Sequence, residues 1–295
     1  MTTREAGVAP GFPAGEWLHA LVAQSLREDV GAGDVSAAVA VALGTIATGA
    51  VVARQSGVVA GLPLVGQVYG ALDPAVRVDA VVVDGAHVAA GQVLARLEGP
   101  AASLLTGERT ALNFVQHLSG IATQTALYVA AAGSRRCVVL DTRKTLPGYR
   151  LLAKYAVRCG GGANHRLGLY DRVLLKDNHW ASGDSIAAMV ARARAMYPQL
   201  EVEVEVDTAT QLAIVLALGV EWIMLDNFTV AEVATAVAAR DAAAPATKLE
   251  ASGNVNLETI GAYARTGVDA VSVGRLTHSA PALDIGMDFD LRGGA

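Results

Sequence analysis

Long hydrophobic runs are missing from this chain, although 53% of its 295 residues are hydrophobic. Gly, Arg, Gln or Asp interrupts every candidate apolar stretch before it reaches spanning length, which excludes a transmembrane helix. Cysteine is nearly absent: Cys137 and Cys159 are the two thiols, and they form no C-x-x-C pair. A disulfide framework is therefore excluded, and two buried, reduced thiols in a cytoplasmic protein is the plain expectation. The opening stretch MTTREAGVAPGFPAG has an early acidic residue and no apolar centre, so it reads as a loose tail over 1–15, not a secretory signal. Charged residues are scarce at 17%, which excludes a disordered chain, and the net charge of −5 argues against a nucleic-acid surface. No lysine occurs between 44 and 105. That absence excludes a biotinyl or lipoyl carrier there, despite the hairpin rhythm of VRVDAVVVDGAHVAAGQVLARLEG, because such a carrier needs a modifiable Lys at a tight turn.

What is present is unevenly spread. Between Asp141 and His179 eight Lys/Arg face three Asp, a local charge of +5 that leaves −10 for the remainder. Arg150, Lys154 and Arg158 recur at helical spacing and suit a solvated helix face. NHRLGLYDRVLLKDNH, residues 164–179, is different: Lys176 ends an apolar run, and His165, Arg166 and Arg172 precede it. Cations at that density in an acidic protein answer to an anion.

The length allows one large domain or two modest ones. From about 28 to 105 the chain reads as strands broken by Gly, a β-rich accessory domain. From Thr106, GERTALNFVQHLSGIATQTALYVAAAG reads as a helix with a Gly stop at 133. Short apolar strands then alternate with helices. CVVLDTRK, RVLLKDN, EVEVEVD, WIMLDNF, KLEASGN and DAVSVGR are the strands; PGYRLLAKYAVRCG, SIAAMVARARAMY, TATQLAIVLALG, TVAEVATAVAARD and NLETIGAYARTG are the helices, the last with an Asn N-cap. That alternation implies parallel strands with right-handed crossovers. Six strands fall short of the eight of a complete barrel, so the expected fold class is α/β with an incomplete, distorted parallel barrel.

Every one of these strands ends in polar residues: Arg143–Lys144, Lys176–Asn178, Glu205–Asp207, Asp226–Asn227, Ser252–Asn254 and Gly274–Arg275. In a parallel barrel those ends form one rim, where active sites are built. In VEVEVD the valines share one face and the acids the other. With helices covering the outside, the carboxylates must look inward, where cations have to compensate them; Lys144 and Lys176 are the expected partners. Glu203 is the structural member of that set, and Glu205, nearer the rim, the site candidate. ASGN and SVGR each bring a Gly where backbone approaches closely, and ASGN leads into a helix whose N–H groups could take a phosphate. The ligand so implied carries a phosphate and further negative charge, with Mg²⁺ held indirectly by Glu205 and Asp226 through water or ribose hydroxyls. No His/Cys spacing suggests zinc.

GERTALNFVQHLSGIAT, DTRKTLPGYRLLAKYAVRCGGGANHRLGLYDRVLLKDNH, EVEVEVD, IMLDNF, LEASGN and SVGRLTHS resemble, in order and spacing, the quinolinate phosphoribosyltransferase family of type II phosphoribosyltransferases. The resemblance covers roughly residues 20–290. It implies an N-terminal α/β sandwich domain over 16–115, with 280–295 as a candidate completion, and an α/β barrel over 116–279. It further implies a homodimer, or a multiple of dimers, that joins quinolinate to 5-phosphoribosyl 1-pyrophosphate with Mg²⁺. The products would be nicotinate mononucleotide, pyrophosphate and CO₂, on the route to NAD. By motif, Arg143, His165, Arg166 and Lys176 would hold the quinolinate carboxylates, joined by Arg109 of the partner subunit. Lys144, Glu205, Asp226, Ser252, Gly253 and Gly274 would serve the phosphoribosyl substrate, with His278 near its phosphate; Thr142 and Asn254 complete the substrate-binding set. Lys144, Lys176, Glu205 and Asp226 would carry the chemistry. Arg275 departs from the pattern, since relatives often carry a small or apolar residue there.

Rival readings stand beside this one. A sibling transferase acting on nicotinate, or a pyrophosphorylase-like metal-transport protein, shares the fold, but the basic cluster is excessive for one carboxylate. A Schiff-base aldolase would use Lys176. A non-catalytic phosphate sensor gains nothing from Glu205 and Asp226.

Overall fold

The computed structural model describes residues 11–133, 136–180 and 183–291; the first ten residues of the expected tail lie outside them. The chain divides into two compact units: residues 1–124, 151–161 and 279–295 form one, and residues 125–150 and 162–278 the other.

The first unit begins with α1 (Glu16–Val30) and α2 (Val35–Ala40), followed by β1 (Ile46–Ala53) and β2 (Gly57–Val58). Then come α3 (Leu62–Leu72), β3 (Arg77–Ala80), β4 (His87–Val88), β5 (Val93–Pro100) and the long α4 (Ala101–Ala132). Its main sheet is antiparallel and includes a strand from the end of the chain, residues 285–291, beside β1; β5 and then β3 follow on the other side. One face is apolar, with Ala47, Val51, Ala95 and Leu97 buried, as alternation requires. The other face is a charge ladder, in which Thr48 opposes Glu98 and Asp290 while Arg96 opposes Ala50 and Asp79. Residues 28–105 are thus not all strand: α3 lies within GLPLVGQVYGAL. The buried Asp84 carboxylate accepts the Gly61 and Leu62 N–H groups at 2.7 and 3.1 Å, which caps α3, and also the Tyr155 hydroxyl at 2.6 Å. Tyr155 belongs to α5 (Arg150–Cys159), most of which counts with this unit.

The second unit holds β6 (Val138–Leu140), β7 (Val173–Leu175), α6 (Asp177–Trp180), α7 (Ile186–Met196), β8 (Val202–Val206) and α8 (Ala209–Leu216). After these come β9 (Trp222–Asp226), α9 (Val230–Ala243), β10 (Lys248–Ser252), α10 (Ile260–Arg265), β11 (Ala270–Ser272) and α11 (Arg275–His278). The terminal strand of the first unit, β12 (Ile285–Leu291), follows. All six expected strands form, as one parallel sheet in the order β6-β11-β10-β9-β8-β7. The first strand pairs with the last, as in a barrel, yet β6 and β7 do not pair among the described residues; Leu140 instead bridges Ala163. The barrel is therefore incomplete. Helices on its outer face start at side-chain caps: Ser185 for α7, Thr208 for α8, and a capping box of Thr229 with Glu232 for α9.

One local expectation needs correction. ASGN does not run straight into a helix, because α10 starts only at Ile260. Asn256 Oδ1 does accept the Glu258 and Thr259 N–H groups, so it caps the turn ahead of that helix. At the end of the barrel where strands begin, the Trp222 ring is held by Arg172 at 5.2 Å and Lys248 at 4.9 Å, both cation–π contacts. Among the described residues no helix is long and apolar enough to cross a membrane.

Candidate active site

The strand ends of the second unit place the rim residues. At the end of β6, Asp141 accepts the Asn164 amide at 2.6 Å and the His165 N–H at 2.9 Å, and the Asp141 N–H donates to the Ala163 carbonyl. These bonds tie the NHR segment to the DTRK strand end, so two stretches far apart in sequence become neighbours. Arg150 reinforces the tie, donating to the Leu167 carbonyl at 3.1 Å and to Thr145 Oγ1 at 3.2 Å.

Arg143 and Arg166 come together there. Burial, first, and the nearby Arg143 charge, second, hold the Arg166 guanidinium below its ordinary pKa. Arg143 Nε is buried without a hydrogen-bond partner, and the side chain of Arg166 reaches only the Arg172 carbonyl, at 3.5 Å. No carboxylate among the described residues pairs with either guanidinium. Two neighbouring, under-partnered guanidiniums are costly unless a multiply charged, planar anion joins them.

Beside them, Lys176 at the end of β7 is ion-paired with Glu205 of β8. The Trp180 indole donates to the Glu205 carbonyl at 3.0 Å and fixes the strand end. Glu205, Asp207 and Asp226 direct carboxylate oxygens to within 4.8 Å of one another. Burial is the main reason Asp226 has a raised pKa; Asp207 adds to it, while Lys176 and Lys144 oppose it. Glu205 is raised too, by burial first, against the pull of Lys176. An acidic triplet so loaded is a fitting seat for a divalent cation.

Gly253 and Gly274 earn their places differently. Gly253 has φ +93, and a Cβ there would sit 2.2 Å from Asn227 Oδ1. Asn227 donates to Asp226 Oδ2 at 2.7 Å and accepts from the Asn254 amide at 3.3 Å, and both asparagines have positive φ. At Gly274, a Cβ would meet Lys144 Cδ at 3.0 Å and His278 Nε2 at 3.3 Å, so the glycine lets those two side chains lie against the backbone. Ser252 pairs in register with Asp226, and Thr142 Oγ1 accepts the Lys144 N–H at 3.1 Å. Arg275 is exposed.

Below the rim lies a buried polar layer. Glu203 is not compensated by lysine, as sequence suggested; Arg172 Nη1 donates to it at 3.2 Å, and His165 Nε2 stands 3.1 Å away. His165 Nε2 is also 3.5 Å from Glu250 of β10. Burial works to raise the Glu203 pKa, but His165 and Arg172 outweigh it and lower the value. Burial, with Glu203 second, pushes Glu250 up to about 8. His165 is thus inside the barrel wall, 8% exposed, with its ring directed at carboxylates.

With this geometry in view, comparison with known proteins is decisive. Residues 34–119 match the Quinolinate phosphoribosyl transferase, N-terminal domain family, and residues 121–288 the Quinolinate phosphoribosyl transferase, C-terminal domain family. The chain belongs to the quinolinate phosphoribosyltransferase family. It is 47% identical over 273 residues to a nicotinate-nucleotide pyrophosphorylase [carboxylating] of Mycobacterium leprae, covering 91% of this chain and 95% of that one. A probable enzyme of the same name from Synechocystis sp. is 44% identical, covering 92% and 91%. The crystal structure of NadC from Streptococcus pyogenes superposes with a TM-score of 0.91 at 38% identity, covering 96% of this chain and 100% of that chain.

Within that family frame, the second unit carries Thr142, Arg143, Lys144, Arg166, Lys176, Glu205, Asp226, Ser252, Gly253, Asn254, Gly274 and His278 at or just after its strand ends, with His165 buried beneath them. Arg109 is exposed on α4 in the first unit, with Glu108 3.9 Å away. Sequence reasoning noted Arg172, Asp207 and Asn227 without giving them a site role, and passed over Glu250. Glu250 had a signal: it shares its strand face with Ser252, two residues on.

Proposed function

We infer that this protein transfers the phosphoribosyl group of 5-phosphoribosyl 1-pyrophosphate to quinolinate with decarboxylation, yielding nicotinate mononucleotide, pyrophosphate and CO₂. The observation that carries the reading is the Arg143–Arg166 pair: two adjacent guanidiniums, no carboxylate on either, at the rim that also holds Lys176, Glu205 and Asp226. Quinolinate is a planar dianion that satisfies both forks. Lys176 faces the same ligand from β7 and exchanges its Glu205 partner for a substrate carboxylate.

The steps follow from charge. The C1–oxygen bond of the donor breaks with its electron pair leaving on pyrophosphate, and positive charge develops on the ribose ring. Glu205 and Asp226 stabilise that charge, and the pyridine nitrogen forms the new bond to C1. The ring nitrogen is now cationic, so the carboxylate on the neighbouring carbon departs as CO₂ and its electron pair stays beside N⁺ until a proton quenches it. Lys144 serves the phosphate end of the donor, a role supported by its lying against Gly274 beside His278. Glu205, Asp207 and Asp226 would hold Mg²⁺, which would supply positive charge to neutralise the departing pyrophosphate.

The working unit we propose is a homodimer in which Arg109 of the partner subunit completes the carboxylate site, and the cytoplasm is its place, in keeping with two buried free thiols. Assay of quinolinate and nicotinate side by side with the phosphoribosyl donor tests the reading. Product from quinolinate with release of CO₂ supports it; turnover of nicotinate alone would transfer the protein to the sibling activity.

A further inference from the structure

The buried layer under the rim points beyond the substrate contacts. His165 Nδ1 accepts the backbone N–H of Arg166 at 2.6 Å, so that nitrogen must present a lone pair. The ring proton is therefore on Nε2, which lies between Glu203 Oε2 at 3.1 Å and Glu250 Oε2 at 3.5 Å, held by charge and proximity and not by an aligned hydrogen bond to either acid. Both carboxyl groups are 0% exposed, and the Asp141 carboxylate fixes the His165 backbone from the other side. The opposite tautomer would set N–H against N–H at Arg166 and turn the Nε2 lone pair toward two acids. Acids behind an imidazole choose its tautomer and its orientation in this way.

We propose that Glu203 and Glu250 are positioning residues for quinolinate: they lock His165 in the Nε2–H tautomer, so that its Nδ1 seats the Arg166 backbone and aims the Arg166 guanidinium beside Arg143. His165 then acts on the substrate chiefly through Arg166. The charge balance of the layer suits the role. Arg172 neutralises Glu203, and Glu250 shares its space with the Ser272 hydroxyl and His165. Ionised Glu203 thus stays paired inside the wall. The convergence of His165, Glu203 and Glu250 within 4.8 Å would also suit a metal ion, but the Arg172 guanidinium already occupies one side of Glu203.

The inference rests on the reading that Arg166 holds a quinolinate carboxylate, and the experiment separates the two. In ¹⁵N-histidine-labelled protein at neutral pH, the His165 signals are identified by coupling across the hydrogen bond to the Arg166 amide or by their loss in His165→Gln. Expected is an unprotonated Nδ1 and a protonated Nε2; a protonated Nδ1 overturns the inference. Glu250→Leu should raise the quinolinate KM about ten-fold with the donor KM little changed, the scale of a small misplacement, and Glu250→Gln should recover most of it. An unchanged quinolinate KM in Glu250→Leu overturns the positioning role. Arg166→Lys tests the underlying reading alone: a raised quinolinate KM upholds it, and an unchanged one removes Arg166 from the substrate whichever tautomer is found.

Discussion

Lys176 and Glu205 form an ion pair across the ends of two adjacent parallel strands, joining the cation expected to meet quinolinate to the acid expected to meet the ribose. A change at either residue is therefore felt on both halves of the reaction. The neighbouring acids offer cleaner single tests.

Asp207→Asn removes the charge that, after burial, contributes most to raising the Asp226 pKa. Asp226 then ionises at lower pH, so the acid limb of the kcat/KM profile should move toward lower pH. The same change takes one oxygen donor from the acidic triplet, and half-maximal activation should need more Mg²⁺. Rate–pH profiles and a magnesium titration check both outcomes; an unmoved acid limb would dissociate Asp207 from Asp226.

Gly253→Ala should be damaging and Gly274→Ala selective. At Gly253 the backbone is left-handed and the new methyl meets Asn227 Oδ1 at 2.2 Å, so a loss of about 1–3 kcal/mol of stability is expected together with a raised donor KM. At Gly274 the nearest atom is the movable Lys144 side chain, so the melting temperature should hold while kcat falls. Thermal melts beside steady-state kinetics distinguish the two.

Arg109→Ala and Lys176→Ala subunits, each inactive alone, should regain partial activity when mixed and exchanged, because some mixed dimers keep one intact site. Exchange demonstrated by mass, without recovered activity, would take Arg109 out of the partner's site.

Glu250 gives a stability prediction with a definite sign. Its folded-state value lies near 8 against an ordinary 4.5, so the bound proton stabilises the fold fully below the lower value, and that contribution is lost as pH rises toward the upper one. Glu250→Gln lacks this loss. Its melting temperature relative to the parent should climb between about pH 5 and pH 8, read by scanning calorimetry in a buffer series. A constant difference would mean that Glu250 is already ionised at neutral pH.

The barrel was legible in sequence for a physical reason. Strands covered by helices outside and closed inside read as short apolar runs, and their polar ends mark the rim, as at VLLK and IMLDN. The helix α3 was not legible. In a chain so rich in Ala and Val the apolar pattern has little period, Gly66 and Gly70 argue against a helix, and the cap comes from Asp84, more than twenty residues away. Rim candidates could be named from strand ends, yet the roles of Arg172 and Glu250 could not. Nothing in DRVLLK says that the arginine turns back to Glu203 while the lysine goes forward to Glu205; that division is made by strand register.

Trp222 lies where the strands begin, gripped between Arg172 and Lys248. Arg172, stacked on that ring, also donates to Glu203, so an aromatic face at the strand starts helps hold the counter-charge of the buried acids.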